Sequence, residues 1–497
     1  SKILILFIKT AYMNRIFLTF FALCMFSGAA SAQIQRTYHW YFGDRAGLDF
    51  SSGQPVVDTN GQMSVYSGCA TMSDIHGNLL MYTNGKSVWN RNHQVMPNGI
   101  GLGMETSTPA QSSIIIPMPG HENIYYIFHL TSFDWKDGKQ THGLKYSVVD
   151  INIDNGMGDV TLKNELLLEP VSEALGAVMH ENCRDVWVLT HKRETDDFYA
   201  FLLTENGVTQ TVITTIGNFK NTPYGAFYLK ISPDGRKVAS SAFWNYSSSQ
   251  IQDTLHIFDF NNASGVLSNT IRIADTAIGA YGFSPDNSKL YVHQGEMDAW
   301  THQYDISLNN QASILASKSL VYYAEYWNMS DFQIGEGGIL VSGKAYTPYL
   351  CIIYEPNKSG TACNLVDSAI YLQGRYCYTS LPEFVSSYFE DAANSCWNQD
   401  TPDSVSTEGV FVPNVFSPNG DGTNDILYVR GENIQHLLFR IYNRWGELVF
   451  ETEDKHIGWD GTYKGKILQA GVFAYHLNAI LNNGHQITKS GNITLIN

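Results

Sequence analysis

Short apolar runs separated by turn residues make up most of the chain. Between residues 38 and 389, these runs alternate with Gly, Asn, Asp and Pro, and no stretch keeps a helical period. Typical runs are Leu79–Thr83, Ile124–His129 and Val186–Thr190. Short runs rich in aromatic and β-branched residues, bounded by turn formers, predict an all-β fold.

A weak repeat runs through this region. Segment Tyr228–Ala239 contains Ser-Pro-Asp-Gly between two apolar runs, and Tyr281–Val292 contains Ser-Pro-Asp-Asn in the same setting. Pro presets one backbone angle and Asp with Gly or Asn completes the turn, so each copy predicts a hairpin. A strand that combines Asp with aromatic residues follows each copy, at Asp259 and Asp305. A spacing of about 50 residues is typical of propeller blades.

These repeats resemble the WD40-like blades of secreted bacterial β-propellers. The units between residues 38 and 389 amount to six or seven blades, which is usual for this fold. A pair of stacked sandwiches is the alternative. In a propeller, we expect the strand near Trp40–Phe42 to pair with the last blade, which closes the ring and removes an exposed edge.

The first 32 residues have the pattern of a secretory signal peptide. Arg15 precedes the apolar run Ile16–Phe26, and small residues follow up to Ala32. We expect translation to start at Met13 and cleavage to follow Ala32. A membrane anchor is the alternative, but the run is shorter than the ~20 residues that a spanning helix needs. We expect no transmembrane segment after cleavage.

Charge narrows the range of partners. The formal net charge is −16, with 47 Asp and Glu against 31 Lys and Arg. Nucleic-acid binding depends on basic residues that neutralise phosphates, so we expect no nucleic-acid partner. An anionic membrane surface is disfavoured for the same reason. The hydrophobic content of 44% is ample for folded cores.

Composition shifts near the C-terminus. Small polar residues at 391–408 predict a linker between a propeller-like domain, residues 33–390, and a second domain, residues 409–497. Short alternating strands in the second domain predict a small antiparallel, immunoglobulin-like β-sandwich.

The second domain contains an ordered set of motifs: Pro-Asn-Gly-Asp-Gly-x-Asn-Asp, Arg-Trp-Gly, Trp-Asp-Gly, Gly-Val-Phe-x-Tyr and Gly-x-Ile-Thr-Leu-Ile. Their signature residues are Pro418, Asn419, Gly420, Asp421, Gly422, Asn424, Asp425, Arg444, Trp445, Gly446, Trp459, Asp460, Gly461, Gly471, Tyr475 and Gly491. The set resembles the gliding-motility-associated C-terminal domain, the type B sorting domain of the type IX secretion system of Bacteroidota. The resemblance implies export through the periplasm by the type IX machinery, to the cell surface or beyond it.

The motif residues also have a direct physical interpretation. Glycines allow tight turns, and we expect Trp445 and Trp459 each to bury a large apolar area against the sandwich. Side-chain oxygens crowd together as in a calcium loop, which makes a candidate calcium site of Asn419, Asp421, Asn424 and Asp425. Asx turns are the alternative use of the same side chains. No other cofactor is predicted.

The chain has seven cysteines, of which Cys24 lies in the predicted signal peptide. An oxidising compartment allows the other cysteines to pair. Cys363 and Cys377 close a short loop and form the first candidate disulfide, with Cys396 as a rival partner. Buried free thiols are the alternative.

The sequence contains no nucleophile elbow, zinc-binding helix, phosphate loop or dinucleotide fingerprint. His180 with Cys183 is more simply explained by a structural histidine, because adjacent residues on a strand point to opposite faces. The acidic cluster of Glu194, Asp196 and Asp197 is more simply explained by a solvated turn than by catalysis. The absence of motifs favours a non-catalytic propeller that binds a surface glycan or protein as an adhesin or scaffold. A secreted hydrolase or lyase acting on polysaccharide or peptide is the alternative.

Overall fold

The computed structural model describes residues 33–103, 109, 111–131, 134–136, 139–219, 226–242, 254–274, 278–295, 297–308, 310–326, 329–390, 410, 412–413, 415–419, 425–430, 434–481 and 486–496. The chain divides into two compact units, residues 1–399 and 400–497. Strands dominate both units, which confirms the predicted all-β class. Within these ranges no helix has the length and apolar character needed to span a membrane.

The first unit, here called the body, is built from short strands. In chain order they are β1 His39–Phe42, β2 Ala46–Asp49, β3 Val56–Val57, β4 Cys69–Ser73, β5 Leu79–Thr83, β6 Ser87–Asn90, β7 Val95–Ile100, β8 Ser113–Pro117, β9 Ile124–Leu130, β10 Asp134–Lys136, β11 Lys139–Asp150, β12 Asp159–Met179, β13 Val186–Lys192, β14 Asp197–Thr204, β15 Gly207–Thr215, β16 Ala226–Ile231, β17 Lys237–Ala242, β18 Thr254–Asn261, β19 Val266–Ala274, β20 Ile278–Phe283, β21 Lys289–Gln294, β22 Met297–Asp305, β23 Ser319–Tyr326, β24 Met329–Ile334, β25 Leu340–Lys344, β26 Tyr349–Ile353, β27 Leu365–Tyr371 and β28 Pro382–Glu383. Two short helices, α1 Ile153–Gly156 and α2 Gln311–Ala316, and the 3-10 turns Ile34–Thr37, Glu336–Gly338, Gly360–Cys363 and Ser386–Phe389 complete the described elements.

Successive sheets of the body are antiparallel meanders. Strands β16–β19, β20–β23 and β24–β27 each pair in chain order, and β4–β7 do the same with β28 added beside β4. The first strand of one sheet contacts the first strand of the next, as β12 does with β16, β16 with β20 and β20 with β24. Blades packed around a propeller axis make contacts of this kind.

Strand β12 changes its pairing partner part-way along its length, within one eight-stranded sheet. Its first part, Asp159–Val171, pairs with β11, and its second part, Val171–Met179, pairs with β13. The first part is largely exposed or half-buried, whereas the second part is almost wholly buried. One continuous strand therefore joins the strands before it to the strands after it in this sheet, and its side chains pass from an exposed to a buried environment.

The two repeat copies form the same hydrogen-bonded turn. In the first copy, the Ser232 hydroxyl donates to Asp234 and accepts the N–H of Lys237 at 2.9 Å. The Lys237 ammonium then lies 3.1 Å from Asp259 on the neighbouring strand. The second copy repeats each contact with Ser284, Asp286, Lys289 and Asp305. The shared sequence pattern therefore forms the same turn between the first and second strands of two consecutive sheets.

The last described part of the body, residues 381–389, runs inward; we call it the inner segment. Strand β28 lies parallel to β4, and Val385 forms a bridge to Ala177 of β12. Most of its side chains are buried, including Phe384 and Tyr388. The inner segment therefore fills the interior between sheets that lie far apart in the sequence.

The expected pairing of Trp40–Phe42 with the last sheet is wrong. These residues form β1, which pairs with β2, and the early and late parts of the body meet instead at a bridge in which the Asp44 N–H donates to the Tyr376 carbonyl at 2.9 Å. The three residues are buried and belong to the main core cluster. Strand β1 also packs on β4.

The predicted Cys363–Cys377 disulfide is also wrong. Both thiols are free and buried. The predicted short loop contains β27, and Cys363 precedes this strand whereas Cys377 follows it and bridges Thr347. The backbone of Cys363 bonds to Glu355 beyond one end of β26, and that of Cys377 bonds to Thr347 beyond the other end, so the whole length of β26 separates the two cysteines. Cys183 is disulfide-bonded, and the rival Cys396 lies outside the described residues.

The second unit is a small β-structure. Its strands are β29 Val415–Phe416, β30 Ile434–Tyr442, β31 Leu448–Thr452, β32 Thr462–Tyr463, β33 Lys466–Ile467, β34 Gly471–Leu481 and β35 Gln486–Leu495. Among the described residues, five strands pair in the order β29-β35-β34-β30-β31, and β32 with β33 forms a separate hairpin. The segments around Leu427 and Trp459 join side chains from one face of the sheet in a single apolar core.

Candidate functional site

A buried ion cluster lies inside the body. It consists of Lys230 on β16, Asp331 on β24 and Glu383 on β28, with the Lys230 ammonium 3.0 Å from Asp331 and 2.9 Å from Glu383. Burial alone lowers the pKa of Lys230, but the two carboxylates raise it above its usual value, so the lysine stays charged. Burial raises the pKa of Glu383.

Further hydrogen bonds satisfy this cluster. The Gln111 side chain donates to Glu383 at 3.0 Å and exchanges two hydrogen bonds with the backbone of Leu229. The Asp331 carboxylate accepts the Leu381 N–H at 3.1 Å. A cleft with about 470 Å³ of empty space, part of it open to solvent, borders Lys230 and Glu383. Because Lys230 is paired with both carboxylates, the cleft offers no unpaired acid or base from the cluster.

The other candidate catalytic residues are held in turns. His180 Nδ1 accepts the Asn182 N–H at 2.9 Å, and its neighbour Cys183 is disulfide-bonded rather than a free thiolate. Asp196 accepts the Phe219 N–H at 2.7 Å, and Asp197 accepts the Thr215 hydroxyl at 2.6 Å. Across the described residues, no group of three His, Cys, Asp or Glu side chains is placed to hold a metal ion.

An exposed aromatic surface was not predicted. Tyr66, Tyr346 and Tyr378 form a tyrosine cluster whose ring centroids lie 5.7 to 6.0 Å apart. Tyr66 and Tyr346 are 53% and 48% exposed. Two hydrogen bonds from Thr379, through its N–H and its hydroxyl, hold the Tyr66 carbonyl in place. The body therefore presents the exposed rings of Tyr66 and Tyr346, beside the half-buried Tyr378, on an anchored backbone.

The two signature tryptophans of the second unit have opposite environments. Trp459 is 1% exposed and packs between Phe416 and Phe473, with ring centroids 5.2 and 5.0 Å away. Its indole N–H donates to the Thr462 carbonyl at 3.0 Å. Trp445 is 80% exposed, so the expectation that it packs against the sheet is wrong. It lies in the turn between β30 and β31, where its side chain points away from the core.

Backbone hydrogen bonds define the turn that carries Trp445. The Asn443 side-chain oxygen accepts the N–H groups of Trp445 at 2.9 Å and Glu447 at 3.0 Å. The Asn443 N–H donates to the Glu447 carbonyl, and Gly446 has a φ of 79°, which favours glycine. The Arg444 guanidinium lies 5.0 Å from the centre of the Trp445 ring. The Arg-Trp-Gly motif thus specifies an ordered turn.

Glu447 connects this turn to the β32–β33 hairpin. Its carboxylate accepts the Tyr463 hydroxyl at 2.8 Å and lies 3.3 Å from the Lys464 ammonium. The Tyr463 hydroxyl and the Lys464 ammonium lower the pKa of Glu447 below its usual value. Arg444, Trp445, Glu447, Tyr463 and Lys464 therefore form one surface, here called the tryptophan tip.

Residues 410–495 match the family model of the CHU_C type IX secretion signal domain. The second unit carries a type IX secretion signal. A domain of this kind directs export to the cell surface or the extracellular space, and it implies interaction with the type IX machinery. No curated protein matches the chain.

Other motif residues of the signal domain have packing roles. A Cβ atom on Gly491 would lie 2.8 Å from the Tyr475 ring, which covers it from the paired strand. A Cβ atom on Gly461, whose φ is 76°, would press on Leu495 and Pro418. These positions require glycine because a neighbouring side chain occupies the space of a Cβ atom.

The remaining motif residues divide between described and undescribed positions. Asp460 accepts the N–H and the hydroxyl of Thr462, and Gly471 begins β34. Asn419 is exposed, and Asp425 is half-buried. Of the candidate calcium ligands, Asp421 and Asn424 lie outside the described residues, as do Gly420 and Gly422, so the calcium site remains a prediction.

The chain is also similar to several solved structures. They include hydrazine synthase of Kuenenia stuttgartiensis, at 13% identity with 57% of this chain and 72% of that chain covered and a TM-score of 0.33. They also include Sqt1 of Chaetomium thermophilum bound to the N-terminus of ribosomal protein L10, at 14% identity, 62% and 76% coverage and a TM-score of 0.34. Similarity this low carries no argument about the activity of this chain.

Sequence reasoning missed the ion cluster and the tyrosine cluster. Both clusters join residues from distant parts of the chain, so no local spacing of residues predicts them. One signal was present: Lys230 lies between the apolar residues Leu229 and Ile231, and a lysine inside a buried strand requires a charged partner.

Proposed function

We propose that this protein is a cargo of the type IX secretion system whose body is a propeller of six or seven blades that binds a ligand outside the cell. The match of residues 410–495 to a type IX secretion signal domain carries the first half of the proposal. We further propose that the N-terminal segment is a signal peptide and that the signal domain is of the type B class.

The architecture of the body supports a binding role over catalysis. The inner segment occupies the interior, where a propeller enzyme would place its site, and the charges there are paired with one another. The tyrosine cluster supplies an external surface instead. Tyrosine is enriched at binding interfaces because its rigid ring offers apolar contact area together with a hydroxyl group. We therefore assign ligand binding, of a surface glycan or a protein, to this cluster.

Export is tested by removing the signal domain. A chain that lacks residues 410–497 is expected to accumulate in the periplasm of a bacterium with a working type IX system, whereas the full chain reaches the outside. Fractionation followed by immunodetection measures both pools. Normal export of the shortened chain would contradict this part of the proposal.

Binding is tested with the full-length protein on arrays of bacterial polysaccharides and peptides. Tyr66→Ala and Tyr346→Ala are each expected to weaken the strongest signal about tenfold or more, as loss of an interface anchor does. Tyr371→Ala is the matched control, because Tyr371 on β27 is equally exposed but its ring contacts that of Tyr349 on β26 instead. Equal losses of binding signal in all three variants would favour another binding site. Turnover of an arrayed polysaccharide would favour the hydrolase alternative.

A further inference from the structure

We propose that the tryptophan tip is the surface through which the signal domain docks on a protein of the type IX export machinery. This inference rests on the proposed function, since it names the part of the signal that the machinery contacts. The docking surface on the partner is expected to combine an apolar pocket for the Trp445 ring with carboxylates at its rim.

The exposure of Trp445 is the first argument. A tryptophan carries one of the largest apolar surfaces of any side chain, and the fold of the signal domain gains nothing from leaving 80% of this one in water. The turn needs Asn443 and Gly446 for its geometry, but its hydrogen bonds to Trp445 use the backbone only. The indole ring is therefore not explained by folding.

The rigidity of the turn is the second argument. Asn443 fixes the backbone on both sides of Trp445, and Glu447 ties the turn to Tyr463 and Lys464 on the next hairpin. A side chain presented on an ordered backbone loses less conformational entropy when it binds than one on a loose loop. The tip is therefore preorganised to bind a partner.

Composition and charge indicate the kind of partner. Tryptophan, tyrosine and arginine are the residues that most often dominate binding energy at protein interfaces. Arg444 lies against the Trp445 ring and Lys464 against the Tyr463 ring, and the carboxylate of Glu447 is already engaged by Tyr463 and Lys464. The tip thus presents a positive, aromatic surface that fits an acidic-rimmed pocket.

The test uses full-length protein produced in a bacterium with a working type IX system. Trp445→Ala is expected to lower the exported fraction about tenfold or more, with folded protein left in the periplasm. Trp445→Phe is expected to restore most of the export, because it keeps an aromatic ring. Ile457→Ala is the matched control: Ile457 is 56% exposed in the signal domain but follows β31 at the end away from the turn.

A photo-crosslinking residue at position 445 supplies a second readout. It is expected to join the cargo to a component of the export machinery, identified by mass spectrometry, and the same residue at position 457 is expected not to do so. Normal export of Trp445→Ala would overturn the inference. Two other outcomes would likewise overturn it. In both, Trp445→Ala is exported normally but has lost either binding to anionic vesicles or dimerisation.

The two proposals fail separately. If removal of residues 410–497 leaves export intact, the signal function itself is wrong. If that removal blocks export while Trp445→Ala does not, the signal function stands and only the docking surface is wrong.

Discussion

The ammonium of Lys230 lies 2.9 Å from the carboxylate of Glu383, a residue 153 positions later in the sequence. Strand β16 and the inner segment are joined by this contact, and Asp331 of β24 completes it. Three parts of the body are thus held together by charges that are largely buried. Their removal one at a time distinguishes the contribution of each charge.

Lys230→Met is expected to destabilise the body strongly. The variant leaves the carboxylates of Asp331 and Glu383 buried without a cation, and breaking a buried ion pair in this way costs about 3–5 kcal/mol. Chemical unfolding of the full-length protein measures the loss. Glu383→Gln is the control, because it keeps the shape and leaves Lys230 paired with Asp331. A cost as large as that of Lys230→Met would contradict this account of the cluster.

Acid is expected to destabilise the body through buried histidines. His293 Nε2 accepts the Met329 N–H, Nδ1 contacts the Thr301 hydroxyl, and burial lowers the pKa of His293 to about 3. In the unfolded chain, the His293 side chain takes up a proton near pH 6.5, whereas in the folded chain it stays neutral at this pH. The free energy of unfolding therefore falls as the pH drops below this value. His293 alone contributes a loss of about 2 kcal/mol between roughly pH 6.5 and pH 5.

Unfolding titrations at several pH values check this expectation. His293→Gln removes the titrating group and is expected to flatten the pH dependence by the same amount. The buried His129, whose pKa burial also lowers to about 3, remains in the variant and keeps part of the slope. An unchanged slope in His293→Gln would show that this histidine is already protonated in the folded state.

The two signature tryptophans are expected to differ in their effect on stability. Trp459→Ala removes a large side chain from the core of the signal domain and is expected to cost about 3–5 kcal/mol. Trp445→Ala removes an exposed ring and is expected to change stability by less than about 0.5 kcal/mol. Hydrogen exchange of the β30–β35 amides in the full-length protein measures both. Similar losses of protection in the two variants would show that Trp445 packs against the sheet.

The thiols of the body are expected to be unreactive in the folded protein. Cys69, Cys351, Cys363 and Cys377 are free and buried, and burial raises the pKa of Cys351 to about 12. Because alkylating reagents attack the thiolate, these four described thiols should be modified only after unfolding. Peptide mapping under non-reducing conditions provides the measurement. A linked pair of peptides that contain Cys363 and Cys377 would contradict the structure.

Local patterns account for what could be predicted from the sequence. The apolar runs predicted strands because their spacing reflects pairing and burial, and the repeats predicted their turns because Gly235 and Asn287, with φ of 66° and 64°, occupy positions that favour these residues. The order of motifs after residue 409 identified the signal domain. Each of these signals lies within a few residues of the structure that it specifies.

Long-range pairing accounts for what could not be predicted. The Cys363–Cys377 pair looked close because the loop is short, but the strand within it moves the ends apart. Trp445 looked like a core residue because of its size. Its setting in Asn-Arg-Trp-Gly, with Asn first and Gly last in a turn, is the local signal that could have placed it at the surface.

The inner segment also affects the order in which the protein matures. Because residues 381–389 fill the centre of the body, a nascent chain cannot complete its interior until almost the whole body has left the ribosome, and the export signal at residues 410–495 follows immediately. A chain that ends before residue 381 lacks both the inner segment and the secretion signal. We therefore expect unfinished copies to stay inside the cell, because only chains long enough to contain the inner segment can also contain the export signal.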